Sequence, residues 1–283
     1  MSDLEERSKI SERLHREGEP KHQVGDVLLD VQRLCRSFGG VKAVNEFSFQ
    51  VRERSITSLI GPNGAGKTTA FNGVTGVIPP TSGSVQLRLP SGQWRELAGL
   101  RPDQICRLGV ARTFQNIRLF DDQSVLDNVL VGLHRRLETG VLGALLRLPA
   151  ARSEEAEARR AAAGYLDFVG LLPRMRDEAG CLAYGERRRL EIARALAAEP
   201  RLLLLDEPAA GMNPQETVEL VELIRRIQAA GVTVFLIEHH MSLVMEISDT
   251  IYVLDHGVEI ARGDPESVRK DEHVIKAYLG VPD

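Results

Sequence analysis

The stretch GPNGAGKTT, residues 61–69, ends in a lysine and two threonines and follows directly on the apolar run SITSLI. Glycines let successive backbone N–H groups turn inward around an anion with no Cβ in the way. The residues fit G-x-x-x-x-G-K-[ST] through Gly61, Gly66, Lys67 and Thr68, and Pro62, Asn63, Gly64, Ala65 and Thr69 complete the loop. In that pattern the lysine reaches the β- and γ-phosphates of a nucleoside triphosphate, and the Thr68 hydroxyl ligates Mg²⁺. A helix starting at Lys67 would add its positive end beneath the phosphates. The bland alternative is a ligand-free glycine turn, which the complete pattern disfavours.

Further groups suit the same chemistry. RLLLLDEP ends an apolar run in Asp206 and Glu207. At such a strand end an aspartate holds Mg²⁺, and an adjoining glutamate can polarise water as a general base. Alone, DEP would serve equally as a helix-capping acidic turn; beside a phosphate loop the catalytic reading is the stronger. FLIEHHM puts His239 just past another apolar run, at the sheet edge where ligands gather in open α/β folds, although a lone histidine is usually a surface residue. ARTFQN offers Gln115, a neutral side chain able to bind Mg²⁺ or water, which by itself would carry no weight.

These groups need a scaffold that brings strand ends together. Ser55 to Ile60 reads as a short buried strand, and 202–205, 232–237 and 251–254 as central parallel strands buried on both faces. DHG at 255–257 predicts a tight hairpin into VEIARG, an antiparallel edge. Phe47, Phe49 and Val51 alternate with polar residues, as do Val85, Leu87 and Leu89, which predicts a small antiparallel sheet beside the loop. Between Leu126 and Leu172 the pattern is helical. Ser153 is the expected N-cap, and Ala158, Ala162, Tyr165, Val169 and Leu172 form one apolar stripe. The expectation is an α/β core interrupted by a helical block, with a single phosphate loop.

Composition bounds the function. The 283 residues carry a net charge of −4, against a dedicated nucleic-acid binder. Cys35, Cys106 and Cys181 form no CxxC pair and suit a reducing cytosol as core or near-core thiols. No apolar stretch approaches the ~20 residues of a membrane span. The charged residues 1–26 read as an extension, mobile or loosely helical, with no signal-peptide pattern and no chemistry.

LAYGERRRLEIARAL, 182–196, discriminates between phosphate-loop classes. Gly185 is expected ahead of a helix whose N-terminal amides grip phosphate oxygens, while Arg187 to Arg189 alone would pass for a solvated basic face. With this stretch included, the chain resembles an ATP-binding cassette ATPase over about residues 27–265. Such proteins carry a phosphate loop, a glutamine loop, a Leu-Ser-Gly-Gly-Gln signature, an Asp-Glu strand end and a switch histidine, and all five occur here in order. The resemblance implies ATP and Mg²⁺ as ligands, Mg²⁺ contacts from Thr68, Gln115 and Asp206, and catalytic roles for Glu207, His239 and Gln115. It also implies that Phe38 stacks on adenine and that Leu182, Ala183, Tyr184, Gly185 and Glu186 close over the ATP of a partner cassette. One cassette per chain then implies a dimer, homo- or heteromeric.

The chain departs from the family pattern at several positions. Ala183 replaces a serine whose hydroxyl touches γ-phosphate, Tyr184 a glycine and Glu186 a glutamine, while Asn213 and His240 stand where aspartate is usual. RTFQNIRLF, VLDNVLVGLH, LAYG, PAAGMNP, AYLG and the insert GVLGALLRLPAARSEEAEAR are similar to the ATP-binding subunit of branched-chain amino acid importers. That implies membrane permeases, a second ATPase and a periplasmic or extracellular binding protein as partners, with the chain at the cytoplasmic face of the membrane. It also implies a cassette over 27–265 with a helical subdomain inserted at about 116–198, and a helical tail over 266–283. The alternatives are the ATPase of lipopolysaccharide export and a soluble cassette protein uncoupled from any permease. The segment from Ile117 to Leu130, with Leu119, Phe120, Asp121 and Asp122, is the expected permease-facing loop, unless Leu119 and Phe120 only anchor the helical core.

Overall fold

The structure is a computed structural model that describes residues 24–133 and 149–279, with the side chains of 149–152 and Leu279 outside it. The extension before residue 24, residues 134–148 including the first part of the insert, and the last four positions lie outside the described residues. Two sheets organise the chain. The first is antiparallel, in the order β2-β1-β4-β5, from β1 (Val27–Phe38), β2 (Val41–Arg52), β4 (Ser82–Arg88) and β5 (Trp94–Glu96). The second runs β10-β9-β3-β8-β7-β6, from β3 (Ile56–Ile60), β6 (Val110–Arg112), β7 (Leu202–Asp206), β8 (Thr233–Ile237), β9 (Thr250–Asp255) and β10 (Val258–Gly263). It is parallel from β9 to β6, and β10 closes it as an antiparallel edge.

The unbroken apolar runs follow from burial on both faces. Side chains alternate across a strand, so Leu202 and Leu204 enter the core shared with the antiparallel sheet, while Leu203 and Leu205 enter the helical core opposite. Phe235 and Ile237 face the first core and Val234 and Leu236 the second. Phe235 joins the two sheets through Phe49, at 5.1 Å between ring centroids, and reaches the helix α1 (Lys67–Val74) through Phe71 at 4.7 Å. Each such side chain contributes ~1.5–3 kcal/mol by leaving water. The alternating strands behave as their patterns require. Phe47, Phe49, Val51, Val85 and Leu87 are buried, whereas Leu89 lies beyond β4 in the turn to β5.

After the short α2 (Pro102–Arg107), the described residues between β6 and β7 include the α-helices α3 (Val125–Leu133), α4 (Pro149–Phe168) and α5 (Tyr184–Ala197). With α6 (Pro214–Ala229) they build the helical core. Ser153 is not the cap expected of it. The helix begins at Pro149, a residue preorganised for a first turn, so Ser153 lies inside α4 with its hydroxyl donating to Glu157. The stripe holds for Ala162, Tyr165 and Val169, which are buried, with Ala158 packed at the margin; Leu172 falls in a separate 3₁₀ turn. Cys35 and Cys106 are half-buried, but Cys181 is exposed, because it sits on the loop leading into α5. Three short helices follow β8 and β10: α7 (Met241–Ile247), α8 (Pro265–Lys270) and α9 (Glu272–Leu279). Val244, Val268 and Val274 pack there with Ile60, the last residue before the glycine turn.

Candidate functional site

The glycine turn closes between β3 and α1. Gly61 has φ 147° and Gly66 φ 101°; a β-carbon would meet Leu254 O at 2.0 Å in the first case and Ala43 O at 2.3 Å in the second. Backbone crowding and left-handed torsion exclude any side chain at both positions. The hairpin at 255–258 braces the turn. His256 and Gly257 both have positive φ, as a two-residue hairpin of this twist demands, and Gly257 N–H donates to Ala65 O at 3.0 Å. Lys67 folds over the loop mouth, donating to Gly61 O at 2.7 Å and Pro62 O at 2.9 Å, which leaves its third donor free. Burial pulls its pKa below the ordinary lysine value, against the opposing pull of Glu207 and Asp206. Thr68 is exposed in the first turn of α1. Phe38, at the end of β1, is 43% exposed and pairs in register with Val41, two residues ahead of the Ala43 carbonyl that faces Gly66. Arg36 stacks on one face of its ring at 4.7 Å.

Asp206 and Glu207 leave β7 in different directions. Asp206 is buried; its Oδ2 accepts from Arg112 at 2.6 Å, and its Oδ1 has no hydrogen-bond partner among the described residues. An orphaned buried carboxylate oxygen is costly unless something binds it, so the donor set of Asp206 Oδ1 and Thr68 fits a hard divalent cation. Glu207 has φ 45°, rare for a residue with a β-carbon and typical of strained functional positions. Its Oε2 accepts from Gln115 Nε2 at 2.8 Å and lies 3.9 Å from His239 Nδ1. The structure therefore brings Gln115, Glu207 and His239 together from three separate segments of the chain.

Sequence reasoning missed two groups that hold this arrangement. Arg112, at the end of β6, neutralises Asp206, and its guanidinium also lies over Phe71 and Phe114. No local signal could reveal a pairing across 94 positions. Glu238 is fully buried at the end of β8. It accepts Ala209 N–H at 2.8 Å on one oxygen, and His239 N–H at 2.9 Å and His240 N–H at 3.2 Å on the other. An acid ending an apolar run, as at Asp206, was the available signal. Glu238, His239 and His240 stand close enough to ligate a cation, but both Glu238 oxygens are already engaged by backbone donors.

The signature stretch forms the start of α5. Leu182 is buried, Ala183 and Tyr184 are exposed, and Gly185 lies within the first helical turn rather than ahead of it. Glu186 accepts from Ala183 N–H at 3.0 Å and pairs with Arg174, so it caps its own helix. Asn213 is likewise the N-cap of α6, exchanging bonds with Glu216 at 2.9 Å each way; asparagine and aspartate serve equally at that position. The three arginines do not form a plain solvated basic face. Arg188 is completely buried against Glu191 at 2.8 Å, and Arg187 and Arg189 pair with Asp121 and Glu219. Leu119 packs against the helical core, whereas Phe120 is 52% exposed on a loop held by the buried Asn128.

Comparison with known proteins fits this geometry. The family model described as ABC transporter matches residues 44–210. The chain belongs to the ABC transporter family. It is an ATPase of that family, and a second model, described as branched-chain amino acid ATP-binding cassette transporter, matches residues 259–283 of the chain. The cassette is 51% identical over 254 residues to the high-affinity branched-chain amino acid transport ATP-binding protein LivG of Salmonella typhimurium, covering 89% of this chain and 98% of that protein. It is 35% identical to the lipopolysaccharide export system ATP-binding protein LptB of Acidithiobacillus ferridurans, covering 89% and 97%. Among solved structures, the ADP conformation of MJ1267, an ATP-binding cassette of an ABC transporter, superposes with a TM-score of 0.77 at 29% identity, covering 90% of this chain and 99% of that one. Among the described residues, no helix is long and apolar enough to cross a membrane.

Proposed function

We propose that the cassette hydrolyses ATP to drive import of branched-chain or other hydrophobic amino acids through membrane permeases. The observation that carries the chemistry is the meeting of Gln115 and Glu207 at 2.8 Å, Glu207 following in sequence on Asp206, whose Oδ1 has no partner among the described residues. Residues 61–69 wrap the phosphates, Lys67 turns from the loop carbonyls to the β- and γ-oxygens, and Phe38 supports adenine on the ring face opposite Arg36. Thr68, Asp206 and Gln115 would hold Mg²⁺, which would supply neutralising charge for the phosphates. Glu207 takes a proton from the water that attacks the γ-phosphorus while the bond to the β–γ bridging oxygen breaks and ADP leaves, and His239 donates to the γ-phosphate oxygens. The experiment is Glu207→Gln, which should keep ATP binding and lose at least ~10²-fold in turnover. Near-normal hydrolysis by this variant overturns the assignment. His239→Ala should resemble it, whereas Lys67→Ala should weaken binding itself.

The transport reading draws on the likeness to LivG at 51% identity against 35% to the lipopolysaccharide export protein. In this reading residues 27–265 are the cassette with a helical subdomain at about 116–198, residues 266–283 the tail and 1–26 an extension dispensable for hydrolysis. The cassette sits at the cytoplasmic face of the membrane. Its signature, Leu182 to Glu186, closes on the ATP of a second cassette, and a binding protein outside the membrane delivers substrate. Uptake of labelled leucine into cells with and without the gene tests the substrate class. Unchanged uptake, with permeases of a lipid exporter co-purifying instead, selects the alternative.

A further inference from the structure

Arg188 is the largest completely buried side chain among the described residues, and none of the roles above uses it. Its two terminal nitrogens serve four acceptors. One donates to Phe114 O at 2.7 Å and Glu191 at 2.8 Å, the other to Gln115 O at 2.9 Å and the Tyr184 hydroxyl at 3.3 Å. Glu191, one helical turn on, receives Phe114 N–H at 3.2 Å on its other oxygen. The pair therefore grips Phe114 by its N–H and its carbonyl together and holds the carbonyl of Gln115 as well. The guanidinium groups of Arg112 and Arg118 lie over the Phe114 ring at 5.4 Å and 4.4 Å. The side chain of Gln115 then ends on Glu207.

We infer that Arg188 and Glu191 are positioning residues forming a clasp between the signature helix and the glutamine loop. Through it, contact made by Tyr184 and its neighbours outside the chain sets where Gln115 holds Glu207. The inference rests on the proposed roles of Gln115 and Glu207. A pair that only filled the core would not need to bond the loop's main chain: a buried ion pair is readily replaced by apolar side chains at little cost in stability. Here three of the contacts go to backbone groups flanking or belonging to the glutamine, and the planar fork of Arg188 serves both carbonyls together. Tyr184, 43% exposed at the start of α5, supplies the outward end.

The test uses the full chain in its assembled transporter, with ATP turnover measured across ATP concentration and binding of a fluorescent ATP analogue measured separately. Arg188→Met with Glu191→Leu removes the clasp without stranding a charge. It should fold, bind the analogue within ~2-fold of the parent and lose ~10- to 100-fold in kcat, the scale expected for a misplaced catalytic group. Combined with Gln115→Ala it should add nothing to the loss of Gln115→Ala alone, because both act through one side chain. Arg188→Lys keeps the charge but not the fork, and should recover part of the kcat. If the apolar pair fails to fold, the lysine variant combined with Gln115→Ala carries the same test. Parental kcat in the folded variants, losses that multiply with Gln115→Ala, or a lost affinity with kcat intact would each overturn the clasp. Absence of ATP turnover in the parent, or an inert Gln115→Ala, would instead strike the underlying assignment.

Discussion

The phosphate loop and the signature segment each present backbone amides at the start of a helix, yet they are built differently. The loop is enclosed by its own chain: Gly61 and Gly66 press against the carbonyls of Leu254 and Ala43, and Lys67 is buried over the turn. The signature lies open, with Ala183 and Tyr184 exposed and its inward residues tied to Arg174, Phe114 and Gln115. The first can define an anion site alone. The second presents a surface outward while tying it to the loop that carries Gln115, the arrangement the proposed half-site would need.

That contrast can be broken from the loop side first. Arg112→Leu leaves Asp206 buried without its cation and should cost ~3–5 kcal/mol, read by chemical unfolding. A smaller loss would mean that water reaches Asp206 and that the loop side is less enclosed than described. Next, Lys67→Met should abolish nucleotide binding while making the nucleotide-free protein more stable near neutral pH. Burial holds the native lysine below its ordinary value, so just under ~10.4 the unfolded chain binds more protons and stability rises with pH. The methionine variant should lose that slope, and thermal melts at several pH values would reveal it.

The signature side should yield smaller effects. Ala183→Ser restores an oxygen at the N-cap of α5 and should stabilise the isolated chain by ~1 kcal/mol, while raising turnover only where a partner's nucleotide meets it. An equal rise in dilute monomer would break the contrast. Smallest of all on the isolated chain should be Phe120→Asp, within ~0.5 kcal/mol because the ring is a surface residue. Permease assembly and transport should fail with it, as read by co-purification and uptake. Unfolding would place Phe120 in the core beside Leu119, and normal transport would remove it from the partner surface.

The features legible in the chain were those with a short-range physical cause. Glycines 61 and 66 mark left-handed torsion, Asp255 to Val258 a hairpin, and the apolar runs that end in Asp206 and just ahead of His239 mark buried strands that stop at a sheet edge. The Ser153 cap failed because helix starts are locally ambiguous, and Pro149 carries the stronger preference.

Sequence alone determined the glycine turn, the strand types and the order of the proposed catalytic groups, since torsion and the alternation of side chains operate over a few residues. Tertiary structure decided the rest. Three adjacent arginines share one composition, yet Arg187 and Arg189 remain near the surface while Arg188 is sealed beneath the glutamine loop. Arg112 meets Asp206 only because β6 lies beside β7 in the sheet. Burial and charge pairing depend on which elements pack together, and a charge pattern read along the chain holds no record of that packing.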